Sequence, residues 1–140
     1  MVLASAATTI RAAQLIMFEQ AGCSWCEAFD REIGTVYAKT DDGLRAPLRR
    51  LDIAQPLPPD LSFVQIERLT PLFVLVDKGR EIGRIRGYAG RESFWTQLFM
   101  LMQKLDRIRK DAQSTRQDAA SFFPAWLDPR FPLSMRASQG

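Results

Sequence analysis

The sequence predicts an α/β domain, and the order of its apolar segments carries that prediction. A run of strand length at Ala13–Glu19 is closed by Ala21-Gly22 and therefore predicts a buried strand. From Ser24 to about Ala38, apolar residues recur at helical spacing with charged residues between them. Further along, Leu72–Val76 is apolar on both faces, which is typical of a central strand. Strand, turn and helix in this order make the first half of a βαβ unit.

Turn residues and prolines mark the middle of the chain. Asp41-Asp42-Gly43 predicts a loop, after which Leu48–Ile53 predicts a second strand. Gln55–Asp60 predicts an irregular connection, because its prolines cannot donate to a strand ladder. Asp60 is a candidate N-cap for a short helix that ends at about Glu67.

The next segment predicts a hairpin followed by a long helix. Asp77–Arg80 predicts a tight turn whose glycine can adopt a positive φ. The following strand, Glu81–Arg86, breaks strict alternation and predicts a bulge near Gly83. The last helix is predicted at about Arg91–Lys110, with a broad apolar stripe that faces the core. The stripe consists of Phe94, Trp95, Leu98, Phe99, Met102, Leu105 and Ile108.

Residues 10–110 are predicted to form this domain, with a residual leader or flexible N-terminus at 1–9 and a C-terminal extension at 111–140. Ala4-Ser5-Ala6 has the form of a signal-peptidase site, but no basic and long apolar regions precede it. The alternatives are a trimmed secretory signal and a frayed, alanine-rich end. In the extension, Phe122–Trp126 is expected to pack back over its own domain or to dock a partner.

Composition and charge exclude two classes of function. The chain has 140 residues, with 46% hydrophobic and 25% charged residues, as an ordinary globular protein does. Its net charge of +3 is spread along the chain, whereas a nucleic-acid binder concentrates basic residues on one face. The basic pairs and runs at Arg49-Arg50 and Arg107–Lys110 are therefore interpreted as solvated surface. No segment reaches the roughly 20 apolar residues of a membrane span. Neither nucleic-acid binding nor a membrane-spanning segment is predicted.

The two cysteines form the motif Cys23-Ser24-Trp25-Cys26, which suits a redox pair, half of a zinc site or a structural disulfide. A structural zinc site needs four Cys or His ligands, and the chain has two cysteines and no histidine. A metal or iron–sulfur centre shared between two chains stays an alternative. A structural disulfide this short would restrict the unfolded chain little. The motif therefore favours redox chemistry without a metal or cofactor.

The position of the motif predicts which sulfur reacts. Cys23 follows a strand at the N-terminal edge of a helix, where unpaired N–H groups and the helix dipole favour the thiolate over the thiol. Cys26 lies one turn further in, shielded, and close enough to attack a mixed disulfide on Cys23. Cys23 is the predicted nucleophile and Cys26 the predicted resolving thiol.

Over roughly residues 10–110 the chain resembles the thioredoxin superfamily. Within it, Gln20–Ile33 and Thr70–Val74 are most similar to the SoxS-type thiol–disulfide oxidoreductases that accompany bacterial sulfur-oxidation systems. The resemblance implies a thioredoxin fold, a central mixed β-sheet flanked by helices, and a redox-active Cys23–Cys26 disulfide. Thr70-Pro71 matches the family's cis-proline, so that the Thr70 backbone would pair with substrate.

The resemblance also implies a place of work and partners. Such proteins are exported to the periplasm and reduce a disulfide or a blocked cysteine on a client, here a sulfur-carrier protein. An exported dithiol needs a reductant, so a membrane electron donor or a low-molecular-weight thiol is implied.

The sequence departs from typical thioredoxins at two points. Met17 stands where thioredoxins carry a buried aspartate, so Glu19 or Glu27 is a candidate for proton transfer; otherwise both are surface acids. Ser24 and Trp25 fill the motif in place of the usual Gly-Pro, and we expect both at the substrate-facing rim. An aromatic residue in this place is also typical of glutaredoxins, which leaves a glutathione-linked reductase as a further alternative.

Overall fold

The computed structural model describes residues 12–122. Its centre is a sheet of four strands: β1 Gln14–Glu19, β2 Leu48–Asp52, β3 Leu72–Asp77 and β4 Arg80–Arg86. Across the sheet they lie in the order β2-β1-β3-β4. The first strand runs parallel to β2 and antiparallel to β3, and β3 runs antiparallel to β4, so the sheet is mixed. This confirms the predicted α/β class with a mixed sheet.

The helices of the described residues differ in kind as well as in length. Between the strands lie short helices and helical turns, and one long helix follows the last strand. The chain divides after Leu105 into two compact units, whose described parts are 12–105 and 106–122. The helices are α1 Ser24–Phe29, α2 Asp41–Arg45 and α3 Arg91–Phe122; a π-helical turn spans Asp30–Gly34, and 3-10 turns span Tyr37–Lys39 and Pro59–Leu61.

Every residue of β3 is buried, which is what the apolar run predicted for a central strand. On one side of the sheet, an aromatic cluster joins Phe73 of β3 to Phe29 of α1 and Phe94 of α3. A second buried cluster contains alternate residues of β1 and β3 together with Leu61 and Val64. The sheet therefore has a packed layer on each face.

The hairpin prediction is confirmed in detail. Lys78 and Gly79 have φ values of 49° and 75°, as a two-residue hairpin turn requires. Leu75 pairs with Gly83 and the next residue, Val76, pairs with Glu81, so Ile82 is the extra residue of a β-bulge.

The loop predicted at Asp41-Asp42-Gly43 is wrong, because these residues form the first turn of α2. The Thr40 hydroxyl caps this helix by accepting a hydrogen bond from the Gly43 N–H at 3.0 Å. Gly43 is buried, and a Cβ added there would lie 1.9 Å from the Tyr37 carbonyl oxygen. The glycine serves a close approach of two backbone segments and does not mark a turn.

The short helix predicted from Asp60 to Glu67 is also wrong. Only the 3-10 turn Pro59–Leu61 forms, and Pro58 takes the N-cap position. The Asp60 carboxylate accepts a hydrogen bond from Arg49 at 2.7 Å, so its oxygens serve a partner on β2. The ion pair also corrects the interpretation of Arg49 as a merely solvated side chain.

The last helix begins where it was predicted but extends to Phe122, beyond the predicted end at Lys110. Its added turns contain no glycine or proline, so nothing in them stops a helix. Phe94, Leu98, Met102 and Leu105 of the apolar stripe are buried, whereas Phe99 is 58% exposed. The predicted leader at 1–9 and the aromatic residues after Phe122 lie outside the described residues.

Candidate functional site

A tight turn brings Cys23 to the start of α1. Strand β1 ends at Glu19, and Gly22 adopts a φ of 75°, which favours glycine. The Cys23 N–H donates to the Gln20 carbonyl oxygen at 3.3 Å, and this bond closes the turn. Cys23 is the N-cap of α1, and its Sγ accepts a hydrogen bond from the Cys26 N–H at 3.1 Å.

Cys23 and Cys26 form a disulfide, with their Cα atoms 5.2 Å apart. Both cysteines are buried: Cys23 is 8% exposed and Cys26 is 5% exposed. The two residues between them face solvent, and Trp25 is 60% exposed. In residues 12–122, no group of three or more His, Cys, Asp or Glu side chains is arranged to hold a metal ion.

The Thr70–Pro71 peptide bond is cis and lies at the same end of the sheet as the disulfide. Leu72, the first residue of β3, pairs with Phe18 on β1. Pro71 therefore precedes β3 where β1 runs out toward the cysteines. The Pro71 carbonyl oxygen accepts a hydrogen bond from Gly87 N–H at 2.8 Å, which ties this segment to the end of β4. The fold thus brings the cysteine motif and Thr70-Pro71 to the same end of the two central strands, β1 and β3.

A cavity of about 280 Å³ opens beside the two sulfur atoms. Four of its wall residues carry carboxylates, and both candidate proton-transfer residues, Glu19 and Glu27, are among them. Met17, which stands where thioredoxins carry a buried aspartate, is fully buried and carries no charge. The walls consist of Glu19, Gln20, Ala21, Gly22, Cys23, Cys26, Glu27, Asp30 and Asp52.

Sequence reasoning missed Arg50, which contacts two of the wall carboxylates. Its guanidinium donates to Glu19 Oε2 at 2.9 Å and forms a short ion pair with Asp30. The hydrogen bond that Arg50 donates to Asp30 is the largest influence that raises the pKa of Arg50 above its ordinary value. Arg50 is exposed, as predicted for surface, but its charge is paired with two carboxylates. Both partners are more than a dozen residues away in sequence, so no local pattern indicates them.

A second hydrogen bond links the helix that follows the cysteines to the turn after β4. The Tyr88 hydroxyl donates to Glu32 in the π-helical turn at 2.5 Å. Burial and this hydrogen bond raise the pKa of Tyr88 to about 12. Two acidic residues of the π-helical turn therefore have partners on other elements: Asp30 pairs with Arg50, and Glu32 pairs with Tyr88.

The loop that precedes Thr70 is tied to β4 by an ion-pair network. Glu67 accepts hydrogen bonds from Arg86 at 2.8 Å and from Arg84 at 2.6 Å. Arg84 also donates to the Gln65 carbonyl oxygen at 3.2 Å. The hydrogen bonds from Arg86 and then from Arg84 lower the pKa of Glu67 to about 2.

Glu67→Gln is expected to remove part of the protein's acid sensitivity. The folded-state pKa lies below the ordinary 4.5, so the ionised carboxylate stabilises the fold above pH 4.5. That contribution is lost as the pH falls from 4.5 to about 2. The Tm of the wild type should exceed that of the variant near pH 7, and the two should converge near pH 2. Glu92→Gln, at an exposed glutamate in the first turn of α3, is the control. A Tm difference that stays constant with pH would contradict the prediction.

A similar solved structure decides the family. The periplasmic thioredoxin SoxS from Paracoccus pantotrophus, in its reduced form, is 41% identical to this chain, with a TM-score of 0.63. The alignment covers 66% of this chain and 98% of that one. This chain belongs to the SoxS-type thioredoxins. A thioredoxin from Malassezia sympodialis is 23% identical, with a TM-score of 0.48, over 64% of this chain and 74% of that one. Neither a protein-family model nor a curated protein matches the chain.

Family membership and the Cys-x-x-Cys pair together define the activity. The chain is a thioredoxin-like thiol–disulfide oxidoreductase, and an enzyme of this class acts on a client protein that carries a disulfide. Over residues 12–122, no helix has the length and apolar character needed to cross a membrane.

Proposed function

We propose that this thioredoxin works in the periplasm, where it reduces a disulfide or a blocked cysteine on a partner of the sulfur-oxidation system through Cys23 and Cys26. The observation that carries the proposal is the pair of sulfurs at the start of α1, with Cys23 at its N-cap. The similarity to a periplasmic SoxS supports the compartment and the partner class.

In the proposed reaction, Cys23 of the reduced protein attacks first. Its thiolate bonds to one sulfur of the client disulfide, and the client's other sulfur leaves as a thiolate and takes up a proton. Cys26 then loses its proton, attacks Cys23 Sγ and releases the client's second thiol. The client gains two electrons and two protons, and the Cys23–Cys26 disulfide is formed again.

Cys23 is suited to the first step because a backbone N–H donates a hydrogen bond to its sulfur. Its Sγ already accepts the Cys26 N–H at 3.1 Å, and such a bond stabilises a thiolate more than a thiol. Cys26 lies one turn further into α1, where it attacks Cys23 Sγ from within the protein once the mixed disulfide has formed. Glu19 and Glu27 share the cavity with both sulfurs, which supports one of them as the acceptor of the Cys26 proton.

The client is proposed to lie across the rim of exposed residues at this sheet edge. Ser24 and Trp25 face solvent, and Trp25 offers a large apolar surface to the client. The backbone of Thr70, beside the cis bond to Pro71, is placed to pair with an extended client segment. The acidic cavity favours a client that is neutral or basic beside its disulfide over anionic glutathione.

A reductant must restore the dithiol after each turnover, because the client's two electrons come from this cysteine pair. The periplasm is kept oxidising, so the dithiol is not restored there without a dedicated electron source. A membrane electron donor or a low-molecular-weight thiol is the proposed source. No metal or organic cofactor takes part in the proposed exchange.

Client capture in the native periplasm tests the proposal. Cys26→Ser removes the resolving thiol, so the Cys23–client disulfide is expected to accumulate as a band that thiol reduction abolishes. Mass spectrometry of that band should identify a sulfur-oxidation protein through its cysteine peptide. The double variant Cys23→Ser/Cys26→Ser is the matched control and should capture nothing. Recovery of the protein and its adducts only from the cytoplasmic fraction would refute the proposed compartment.

A further inference from the structure

Arg50 is the basic side chain that contacts the carboxylates beside the disulfide. It lies on β2 and pairs in register with Met17, so it stands next to the buried residue that carries no charge. One of its nitrogens meets Glu19 at the end of β1, and another meets Asp30 in the π-helical turn after α1. A single guanidinium therefore joins the strand before the cysteines to the helical segment after them.

The two carboxylates that Arg50 binds also form part of the wall of the cavity beside the disulfide. Glu19 and Asp30 line the same cavity as Cys23 and Cys26, together with Glu27 from α1 and Asp52 from β2. Negative charges near a thiol disfavour its thiolate and raise its pKa. Four wall carboxylates would therefore slow a reaction that needs the thiolate. The positive charge of Arg50 acts against two of them.

The shape of the guanidinium matters as well as its charge. Arginine presents several N–H donors in a planar fork and can bind two carboxylates at once, whereas the ammonium of lysine is a compact point charge. Arg50 uses two different terminal nitrogens for its two partners. The Arg50 side chain is 37% exposed, so solvent screens both ion pairs in part.

We propose that Arg50 is a positioning residue of the redox site: it fixes Glu19 and Asp30 at the cavity wall and offsets their charge, so that the Cys23 thiolate forms near neutral pH. This inference rests on the proposed dithiol exchange, because it concerns the reactivity of the same sulfur. Arg50 itself contacts neither the cysteines nor the client in this proposal. Its influence on Cys23 passes through the two carboxylates.

The test is the pH dependence of Cys23 alkylation in the reduced protein. Iodoacetamide is uncharged, and mass spectrometry reports the modification of Cys23 separately from that of Cys26. Arg50→Met, which keeps much of the apolar stem, is expected to raise the alkylation midpoint by about one pH unit, or about tenfold in rate below the midpoint. Arg50→Lys should give a smaller rise, because the charge remains and the fork is lost.

Two further variants separate charge from mere stability. Arg49→Met, on the same strand but paired with Asp60 outside the cavity wall, should leave the midpoint unchanged. Asp30→Asn, with Arg50 intact, should lower the midpoint, and this holds even if Arg50→Met fails to fold. Adding Asp30→Asn to Arg50→Met should reverse much of the upward shift.

The outcomes distinguish this inference from the proposed function. Midpoints that are equal in the wild type, Arg50→Met and Asp30→Asn would overturn the role of Arg50, while wild-type reduction of a protein disulfide would leave the exchange chemistry intact. Failure of the wild type to reduce any protein disulfide would refute the function. An upward shift in Arg50→Met that Asp30→Asn reverses would support the inference.

Discussion

Cys23→Ser is expected to reduce the rate of protein-disulfide reduction to the uncatalysed background. Serine keeps the shape of the side chain, but its hydroxyl does not ionise near neutral pH and cannot form a disulfide. Removing the nucleophile of a covalent mechanism costs at least about 10³-fold in rate. The measurement is the turbidity that develops when insulin disulfides are reduced, with dithiothreitol as the electron source. Leu44→Ser, at a solvent-facing position of α2, is the control and should retain wild-type activity.

Cys26→Ser should fail in a different way, and the difference tests the assignment of roles. This variant keeps the attacking sulfur, so it should release one thiol from a disulfide reagent and stop at a stable mixed disulfide. Cys23→Ser should form no such adduct, because it lacks the attacking sulfur at the N-cap of α1 and keeps only the thiol of Cys26 inside the helix. If Cys26→Ser cycled at the wild-type rate, or if Cys23→Ser trapped the client, the assigned order of attack would be wrong.

The elements that the sequence predicted correctly are those whose signal is local. Strands β1 and β3 are continuous apolar runs, and the start of α1 follows from apolar spacing next to a glycine turn. The hairpin depends on one short turn sequence. Two of the errors, at Asp41–Gly43 and Asp60–Glu67, involve residues whose local preference gave way to a tertiary contact. Gly43 packs against the Tyr37 backbone, and Asp60 pairs with Arg49 on a strand.

The candidate site divides along the same line. The cysteine motif and Thr70-Pro71 were found because each is a short sequence with its own chemistry, and the sheet register explains why they share one edge. Arg50, Asp30 and Asp52 were missed, although Glu19 and Glu27 of the same cavity wall had been named as candidates. Their relation depends on β2 lying beside β1 in parallel, which places residues from distant segments side by side. Charged residues on a strand have many alternative partners, and the sequence does not indicate which of them is adjacent.

Phe94→Ala is expected to cause the largest loss of stability among single changes in the aromatic cluster. Phe94 is 1% exposed, and its ring centroid lies 5.1 Å from those of Phe29 and Phe73. It therefore joins α3 to α1 and to the central strand. Truncating a buried phenylalanine to alanine costs about 3–5 kcal/mol, through lost apolar burial and the cavity left behind. Urea unfolding followed by circular dichroism measures the change.

The control is Phe99→Ala on the same helix. Phe99 is 58% exposed, so its truncation should change the free energy of unfolding by no more than about 1 kcal/mol, near the range of surface substitutions. Both variants remove the same atoms from α3. Neither variant lowers the helix propensity, because alanine is the best helix former. A difference between them therefore measures burial. Equal losses in the two variants would contradict the packing described for Phe94.

Phe94→Leu separates the volume of the ring from its aromatic geometry. Leucine fills much of the space, so most of the cavity cost should disappear. The loss of stability that remains should reflect the missing edge-to-face contacts with Phe29 and Phe73, each worth about 0.5–1.5 kcal/mol beyond area burial.

The same variant tests whether the aromatic cluster influences the redox site, because Phe29 lies on the helix that carries Cys26. If the Cys23 alkylation midpoint of Phe94→Leu matched the wild type despite lower stability, the site's electrostatics would be independent of this cluster. We expect that result, because the carboxylates and Arg50 lie at the cavity wall and not among the aromatic rings.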